Sequence, residues 1–440
     1  MAKVYLESLG CARNQVDSEV MAGRLKGAGW ELAAEPDEAE AIVVNTCSFI
    51  TAAADESIVT ILALAEFKTK GRCRRLIVTG CLPERYRQAS ADALPEVDIF
   101  LGTGAFDQVV AAVAGDLPRK TCLLPDPDRI DLQASVQRRV LTPHVAYLKI
   151  AEGCDRHCTF CIIPKLRGRQ KSRPVAAVIA EARELIGKGA REITLVAQET
   201  TAYGSDLDEP VDLARLLAQL AGLDRSVWIR FLYGHPRTIT DDLLHTVARF
   251  PNLCPYFDIP IQHAADSVLK RMGRVYRRAE LVRLFDRIRT RLPQAALRTT
   301  VLVGFPGETE SDLAQLAEFI RQVRFDHLGV FTYSDADDLP SHGLDRHVDP
   351  RQARKRMQRV MDLQKEISED KLASFHGRTL SVLIESQAEP GLYAARAVFQ
   401  APEVDGCTLV RTHRDLAAGT FVDVTIQETL AYDLIGEPEF

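Results

Sequence analysis

Three cysteines in one short segment constrain this chain more than any other feature. The run Glu152-Gly-Cys154-Asp-Arg-His-Cys158-Thr-Phe-Cys161 has the spacing C-x3-C-x2-C, which brings three thiolates within reach of one metal centre. Soft thiolate sulfur selects zinc, copper or an iron–sulfur cluster over hard cations. A closed zinc site needs four ligands, and His157 could supply the fourth. A four-iron cluster held by three cysteines instead leaves one iron open for a ligand or substrate.

A second set of three cysteines is spread over the first part of the chain. Residues 1–115 alternate short apolar runs with helical stretches, the pattern of βαβ units on a parallel sheet. Three of these runs each lead to a cysteine: Val4–Gly10 to Cys11, Ala41–Thr46 to Cys47, and Arg75–Gly80 to Cys81. Because the carboxyl ends of parallel strands share one edge, where ligands bind, we expect the three thiols to converge. A small buried hydrophobe is the usual role of a single cysteine, but three in one topological position predict a second cluster.

The middle of the chain predicts an incomplete βα barrel. Strand and helix patterns alternate about every 35 to 40 residues after residue 144, and six parallel strands place their chemistry on the loops that follow them. The predicted strands are Val145–Ile150, Glu192–Ala197, Val227–Leu232, Phe257–Ile261, Leu297–Val303 and His327–Thr332. Gln198 follows the second strand and Gln262 the fourth, so both are candidates for cofactor or substrate contacts. The turn Gly304–Thr309 opens a helix after the fifth strand and lets backbone approach a ligand closely.

The remaining segments predict connections and a small third domain. Residues 116–143 are rich in proline, aspartate and arginine without a sustained period, which is typical of a linker. Residues 351–375 form an amphipathic helix whose apolar stripe indicates core packing. The tail predicts a small β-barrel, with strands at Leu380–Ile384, Thr408–Arg411 and Phe421–Thr425.

Composition indicates an ordinary globular protein of the cytoplasm. Hydrophobic residues make up 46% and charged residues 26% of the 440 positions, and no run approaches the length of a membrane span. The start lacks the apolar core of a signal peptide. In a reducing cytosol the ten cysteines favour metal binding over disulfides. Four of them have no comparable context and are interpreted as structural or incidental: Cys73, Cys122, Cys254 and Cys407.

Charge is distributed unevenly along the chain. From residue 377 to 440 there are four Lys or Arg and ten Asp or Glu, a net charge of −6, while the rest has 51 of each sign. A module that binds RNA needs Lys and Arg to neutralise phosphates. The tail therefore favours a partner with positive charge, with an acidic surface kept for solubility as the alternative.

The segment after Cys161, Ile162-Ile-Pro-Lys-Leu-Arg167-Gly168, resembles the cluster loop of radical S-adenosylmethionine (SAM) enzymes, in the version found in methylthiotransferases. Phe160 fits the aromatic position of that loop, the sequences around Cys11, Cys47 and Cys81 resemble the family's amino-terminal domain, and the tail resembles its TRAM module. The resemblance covers essentially the whole chain. It implies an α/β protein with four parts: an N-terminal methylthiotransferase domain at 1–115, a linker at 116–143, a partial (βα)6 radical SAM barrel with its terminal helix at 144–375, and a TRAM-like antiparallel β-barrel at 376–440.

The same resemblance implies two [4Fe–4S] clusters and SAM as cofactors. Cys154, Cys158 and Cys161 would hold the cluster that chelates SAM, and the other trio would hold an auxiliary cluster associated with sulfur delivery. No catalytic residue is implied beyond these ligands. The residues expected to contact SAM are Phe160, Gln198, Gly304, Gly307 and Glu308.

Finer motifs favour one branch of the family. Ser8–Cys11, Asp258–His263 and Ala401–Gly406 are similar to the branch that adds a methylthio group to the β-carbon of one aspartate in ribosomal protein S-twelve of the small subunit. The acidic tail would attract that basic protein. The alternative substrate is a tRNA adenosine, which would need a basic tail. The alternative from a different functional class is a protein without catalytic activity that binds zinc or carries clusters.

Further expectations follow from the resemblance, and one segment departs from it. Flavodoxin or ferredoxin is the expected electron donor, and we expect a monomer without membrane association. Ser334–Pro340 replaces the family's usual Gly-Thr-Pro turn after the sixth strand.

Overall fold

The computed structural model describes residues 2–129, 138–140 and 142–439. In chain order they form a parallel β-sheet flanked by helices, a central part of parallel strands and helices, and a closed barrel in which all strand pairs but one are antiparallel. The predicted α/β architecture with three structural parts is confirmed. Among the described residues no helix is both long and apolar enough to cross a membrane.

The N-terminal part is a six-stranded parallel sheet in the order β2-β1-β3-β4-β5-β6. Its strands are β1 Lys3–Ser8, β2 Glu31–Leu32, β3 Ala41–Thr46, β4 Arg75–Gly80, β5 Ile99–Leu101 and β6 Thr121–Leu123. Its helices are α1 Ala12–Gly27, α2 Thr51–Ala65, α3 Phe67–Lys70, α4 Cys81–Tyr86, α5 Gln88–Ala93 and α6 Val109–Ala114. Alternate residues of β3 pack into different clusters, Ile42 into one and Val43 into the other, so the sheet is buried on both faces.

One strand of this sheet lies beyond the predicted boundary at residue 115. β6 falls inside the segment 116–143, which we predicted to be a linker, and it pairs with β5. The strand has only three residues and follows a turn, so its sequence gives no period. The later linker residues 130–137 and 141 lie outside the described residues.

The central part contains the six predicted parallel strands, split by their hydrogen bonding into two sheets of three, β11-β10-β7 and β12-β13-β14. The strands are β7 Val145–Lys149, β10 Glu192–Val196, β11 Trp228–Phe231, β12 Tyr256–Asp258, β13 Ala296–Val303 and β14 His327–Thr332. A short antiparallel pair, β8 Ala151–Glu152 and β9 Lys171–Ser172, comes between β7 and β10 in the sequence. The helices are α7 Ile163–Arg167, α8 Val175–Gly187, α9 Leu213–Ala221, α10 Asp241–Arg249, α11 Asp266–Arg271, α12 Arg278–Arg291, α13 Glu310–Val323 and α14 Pro350–Ala373.

The predicted terminal helix corresponds to α14. Asp349 caps its start by accepting hydrogen bonds from the backbone N–H groups of Arg351 and Gln352. Val360 and Ile367 lie in the main hydrophobic core, so the apolar stripe does pack inward.

The C-terminal part is a closed five-stranded barrel, β15-β16-β17-β19-β18. Its strands are β15 Thr379–Glu389, β16 Leu392–Ala397, β17 Thr408–Arg411, β18 Phe421–Thr429 and β19 Leu434–Pro438. The small barrel was predicted correctly, but two of its strands were not. Single turns of 3-10 helix complete the described elements, at Pro36–Glu38, Phe106–Gln108, Pro127–Arg129, Thr200–Ala202 and Pro340–Gly343.

Candidate cluster and cofactor site

A cavity of about 590 Å³ lies between the N-terminal sheet and the central strands. All six cysteines singled out from the sequence line it. The N-terminal sheet contributes Cys11, Cys47 and Cys81, and the central part contributes Cys154, Cys158 and Cys161. The structure therefore brings both trios to a single space.

The N-terminal trio converges because each of its cysteines follows a parallel strand. Cys11 immediately precedes α1, and Cys81 is the first residue of α4. Asn14 ties two of the strand-end loops together, since its side-chain amide donates to the carbonyls of Leu9 at 2.7 Å and Thr46 at 3.1 Å. This is the edge at which open parallel sheets bind ligands.

The central trio lies on a loop whose base is closed by β8 and β9. Gly153 makes that closure possible: it has φ +80°, and a Cβ there would lie 1.9 Å from the carbonyl oxygen of Arg169. The backbone N–H of Cys154 donates to the carbonyl of Gly168 at 3.1 Å across the same base. The loop is thus held as one unit that presents three thiols inward.

All six candidate donors in the cavity are cysteine thiols, the ligands that iron–sulfur clusters usually take. Zinc holds its sulfur ligands at about 2.3 Å. Among residues 2–129, 138–140 and 142–439, no three His, Cys, Asp or Glu side chains are grouped closely enough to hold one metal ion. A four-iron cluster is larger and spaces its thiolates more widely. His157 is exposed and does not line the cavity, so it does not supply the fourth ligand that the zinc interpretation required.

Burial and arginines determine the charge of the thiols. Burial raises the pKa of Cys81 to about 11 and that of Cys161 to about 12, so each needs a bound metal to ionise at neutral pH. Burial also opposes ionisation of Cys11, but Arg13 and Arg167 outweigh it and lower the pKa of that thiol. The two arginines therefore favour negative charge at Cys11, whereas burial disfavours it at Cys81 and Cys161.

Comparison with known families separates the chain into the same three parts. Residues 3–102 match "Uncharacterized protein family UPF0004", residues 148–320 match the radical SAM superfamily, and residues 377–438 match the TRAM domain. Membership of the radical SAM superfamily implies SAM and an iron–sulfur cluster as cofactors.

Curated relatives match over nearly the full length. The chain is 54% identical over 99% of its length to "Ribosomal protein uS12 methylthiotransferase RimO" of Desulfosudis oleivorans, covering all of that protein. The chain belongs to the RimO family. Family proteins of the same name from Anaeromyxobacter sp. (strain Fw109-5) and Clostridioides difficile are 46% and 42% identical, with 99% of this chain and 92% and 99% of theirs covered.

Solved structures share the fold of this RimO-family chain. The radical SAM methyltransferase TsrM from Kitasatospora setae aligns with a TM-score of 0.61 over 86% of this chain and 90% of that one, at 13% identity. The cobalamin-dependent radical enzyme OxsB aligns with a TM-score of 0.51 over 83% of this chain and 56% of its own, at 12% identity.

Two of the five residues predicted to contact SAM line the cavity of this RimO-family chain. Phe160 packs edge-on against Phe305, with ring centroids 6.3 Å apart. Gln198 donates to Glu152, and its Oε1 is buried without a hydrogen-bond partner in the described structure. Gln262, which the sequence also suggested, lines the cavity with a φ of +67°.

The glycine-rich turn does not line the cavity. Glu308 instead closes the turn from within, accepting from the backbone N–H of Gly304 at 2.6 Å and of Phe305 at 3.2 Å. It also faces Arg356 of α14 at 3.1 Å. Burial raises the pKa of Glu308 to about 7 despite that arginine. The placement of Gly304, Gly307 and Glu308 lends no support to a SAM contact, which stays a prediction.

Sequence reasoning missed most of the charged lining. Arg156 holds Glu199 through two hydrogen bonds of 2.6 Å beside Cys154. Arg274 lies over the ring of Phe160, with 5.6 Å to the centroid, and its Nε has no partner among the described atoms. Arginines that follow cysteines at short spacing, as Arg13 and Arg156 do, were the available signal.

Proposed function

We propose that this chain is a radical SAM methylthiotransferase that adds a methylthio group to the β-carbon of one aspartate in ribosomal protein uS12. Membership of the RimO family supports this substrate, since the curated relatives carry that name. One observation carries the mechanism: six thiols from two different domains line one cavity.

We propose that each cysteine trio holds one [4Fe–4S] cluster, so that the N-terminal trio carries an auxiliary cluster beside the one that binds SAM. All three donors of each set are thiols, the ligands that such clusters take, and three of them leave one iron without a protein ligand. When bound, the clusters and SAM supply the radical that removes a substrate hydrogen, together with the methyl group and sulfur that are transferred. The task of the protein is to hold both centres against one substrate carbon.

The cavity walls orient the cofactor. Gln198 is anchored through its amide nitrogen by Glu152, so its Oε1 would be able to accept a hydrogen bond from a bound cofactor. Arg156 is fixed by Glu199 beside Cys154, and Arg274 lies behind Phe160. The charge of Arg156 is already met by Glu199, so Arg274 is the group that would balance negative charge brought by a thiolate-bound cluster.

The mouth of the cavity is apolar on both sides. Phe49 and Ile50 lie on the N-terminal side and Phe331 on the central side, and all three are exposed while lining the cavity. Exposed apolar rims mark surfaces that a partner covers. A bound segment of uS12 would cover these side chains and keep water away from the reacting carbon.

The acidic C-terminal barrel is the proposed docking surface for the basic ribosomal protein. Glu403, Asp423 and Glu428 are exposed, and Glu428 also pairs with Arg411 at 2.6 Å. Asp405 is not: its side chain is 1% exposed and accepts from Tyr256 at 2.6 Å, so it belongs to the junction with the central part. An acidic module disfavours the tRNA alternative. Flavodoxin or ferredoxin remains the proposed electron donor.

The test uses cysteine variants of anaerobically reconstituted protein. About eight irons per chain fit two clusters, whereas bound zinc without sulfide would end the enzyme interpretation. We expect Cys158→Ala to abolish SAM cleavage and Cys47→Ala to retain cleavage without forming methylthio product. Cys122→Ala, which removes a thiol outside the cavity, is the matched control.

The readouts are deoxyadenosine release and mass spectrometry of a uS12 peptide. Deoxyadenosine formation at the parent rate by Cys158→Ala would refute the central trio as the radical site. Normal product from Cys47→Ala would refute the auxiliary site. Modified tRNA in place of modified peptide would transfer the activity to the other branch.

A further inference from the structure

An arginine of the central part reaches into the cysteine trio of the N-terminal sheet. Arg167 is the last residue of α7, in the segment that follows Cys161. Its Nη2 lies 3.6 Å from the sulfur of Cys81, within hydrogen-bonding range for sulfur, and its side chain is 3% exposed. The two sites are thus joined by one side chain as well as by the shared cavity.

The guanidinium is held in place from both sides of the domain boundary. Asp17 of α1 accepts from Nη1 at 2.7 Å, and Asn14 of the same helix accepts from Nη2 at 2.8 Å. Glu152 of β8 accepts from Nη1 at 3.4 Å. A planar fork with several fixed donors can satisfy these acceptors and the thiol together, which a lysine cannot.

Arg167 also completes the charge balance of a buried group of carboxylates. Lys149 contacts both Asp17 and Glu152, which gives two cations and two anions in one buried group. Gln198 donates to Glu152 and extends the network to the cavity wall. Because two cations already match two carboxylates, a thiolate at Cys81 would add one negative charge beside Arg167.

We propose that Arg167 is a positioning residue that donates a hydrogen bond to the Cys81 thiolate and raises the reduction potential of the cluster held by Cys11, Cys47 and Cys81. A positive charge and an N–H···S bond stabilise the more negative, reduced state of a cluster, because hydrogen bonds to the sulfurs and net charge set its potential. Since the donor comes from the other domain, the potential depends on correct docking of the two parts. This inference rests on the proposed function, because it needs the auxiliary cluster.

The experiment isolates that cluster in the full-length chain. The reference protein of this experiment, called the parent in this subsection, lacks the three central thiols through Cys154→Ala, Cys158→Ala and Cys161→Ala. Into it we would introduce Arg167→Lys, which keeps the charge but shortens the donor, and the pair Arg167→Gln with Asp17→Asn, which removes one charge of each sign. Arg169→Gln is the matched control, since Arg169 is exposed in the same segment.

Potentiometric titration followed by electron paramagnetic resonance gives the potential of each reconstituted protein. We expect the paired variant to shift to more negative potential, Arg167→Lys to shift less, and Arg169→Gln to match the parent. A parent that binds no cluster would refute the auxiliary site and hence the proposed function. Potentials equal to the parent in both Arg167 variants, with about four irons bound, would overturn the role of Arg167 alone.

Discussion

Arg85 of α4 and Asp338 of the loop after β14 form a two-point ion pair across the boundary between the N-terminal and central parts. The Nε–Oδ2 and Nη2–Oδ1 distances are 3.0 and 2.6 Å, and the arginine side chain is 3% exposed. Arg85 also donates to the carbonyl of Ser48, next to Cys47. The pair therefore fixes the loops of two auxiliary cysteines against the central domain.

We expect Asp338→Asn to loosen this boundary. The change leaves a buried guanidinium without its counter-charge, and it should cost about 1–3 kcal/mol, below the 3–5 kcal/mol of fully buried pairs because Asp338 is 20% exposed. Hydrogen exchange of α4 should accelerate. More SAM should be cleaved per methylthio product, since the two sites are held together less firmly.

Asp337→Asn is the comparison for that experiment, because Asp337 is exposed in the same loop and its charge acts on Arg85 less strongly than the direct pair with Asp338. Equal exchange rates and equal product ratios in the two variants would show that the ion pair does not hold the boundary. Asp338 lies in Ser334–Pro340, the segment that replaces the family's usual Gly-Thr-Pro turn. The experiment therefore also tests whether this replacement serves to hold the two parts together.

We expect Gly304→Ala to destabilise the fold and to leave SAM affinity unchanged in the folded fraction. Gly304 has φ +74°, and a Cβ there would lie 2.4 Å from the Cβ of Ala353 in α14. Backbone strain of this kind costs about 1–3 kcal/mol, and overpacking adds to it. Adding Ala353→Gly should recover only the steric share. The measurements are urea denaturation and SAM binding.

The opposite result would restore the role predicted from the sequence. If Gly304→Ala weakens SAM binding while stability stays at the parent value, the glycine-rich turn contacts the cofactor after all.

We expect acid to weaken the junction between the central strands and the C-terminal barrel. Glu192 lies between Arg230 at 2.7 Å and Arg396 at 2.8 Å, all fully or nearly buried. Burial opposes its ionisation, but the two arginines outweigh it and lower the pKa of Glu192 from 4.5 to about 2. The stabilisation is therefore present above about pH 4.5 and is lost as the pH falls toward 2. At 1.36 kcal/mol per unit it is on the order of 3 kcal/mol.

Glu192→Gln tests this assignment. At neutral pH it leaves the buried Arg230 without its carboxylate partner and Arg396 with Glu385 alone, so we expect a loss of about 3–5 kcal/mol, and below pH 4.5 the difference from the parent should shrink. Urea denaturation at several pH values measures both effects, with the exposed Glu389→Gln as control. A difference from the parent that stays constant with pH would contradict the lowered pKa.

Most of the fold was predictable from regular patterns of apolar residues in the sequence. The six central strands were predicted within a few residues of their observed ends, because buried parallel strands are continuous apolar runs. β16 was missed since half of its residues, Leu392–Ala397, are alanine, which is depleted in strands, and β19 contains glycine and proline. β8 and β9 have two residues each, too few for any period.

The cysteines were predictable because topology alone places strand-end residues at one edge. The long polar side chains were not. Arg167 was visible in the motif after Cys161, but its contact with Cys81 depends on how two domains dock. The burial of Asp405 was also not predictable, because one carboxylate in a barrel loop that becomes buried leaves no trace in the sequence.

The last prediction concerns the acidic surface of the C-terminal barrel. Reversing Glu403, Asp423 and Glu428 to lysine should weaken uS12 binding and slow association, because complementary charges steer a basic partner toward an acidic surface. The three are changed together because a single exposed pair contributes only about 0–1 kcal/mol. Substrate-free SAM cleavage should stay at the parent rate, since these residues do not line the cavity.

The control reverses the same number of exposed acids elsewhere: Asp92, Asp286 and Glu366. Association rates with uS12 should fall in the barrel variant and not in the control. Salt should reproduce the loss in the parent, because screening acts over about 8–10 Å at physiological ionic strength. Unchanged peptide modification by the barrel variant would remove this surface from substrate recognition. With a net charge of −6, the barrel should repel the phosphates of tRNA. Tight binding of tRNA by the unmodified barrel would contradict this expectation and favour the tRNA substrate.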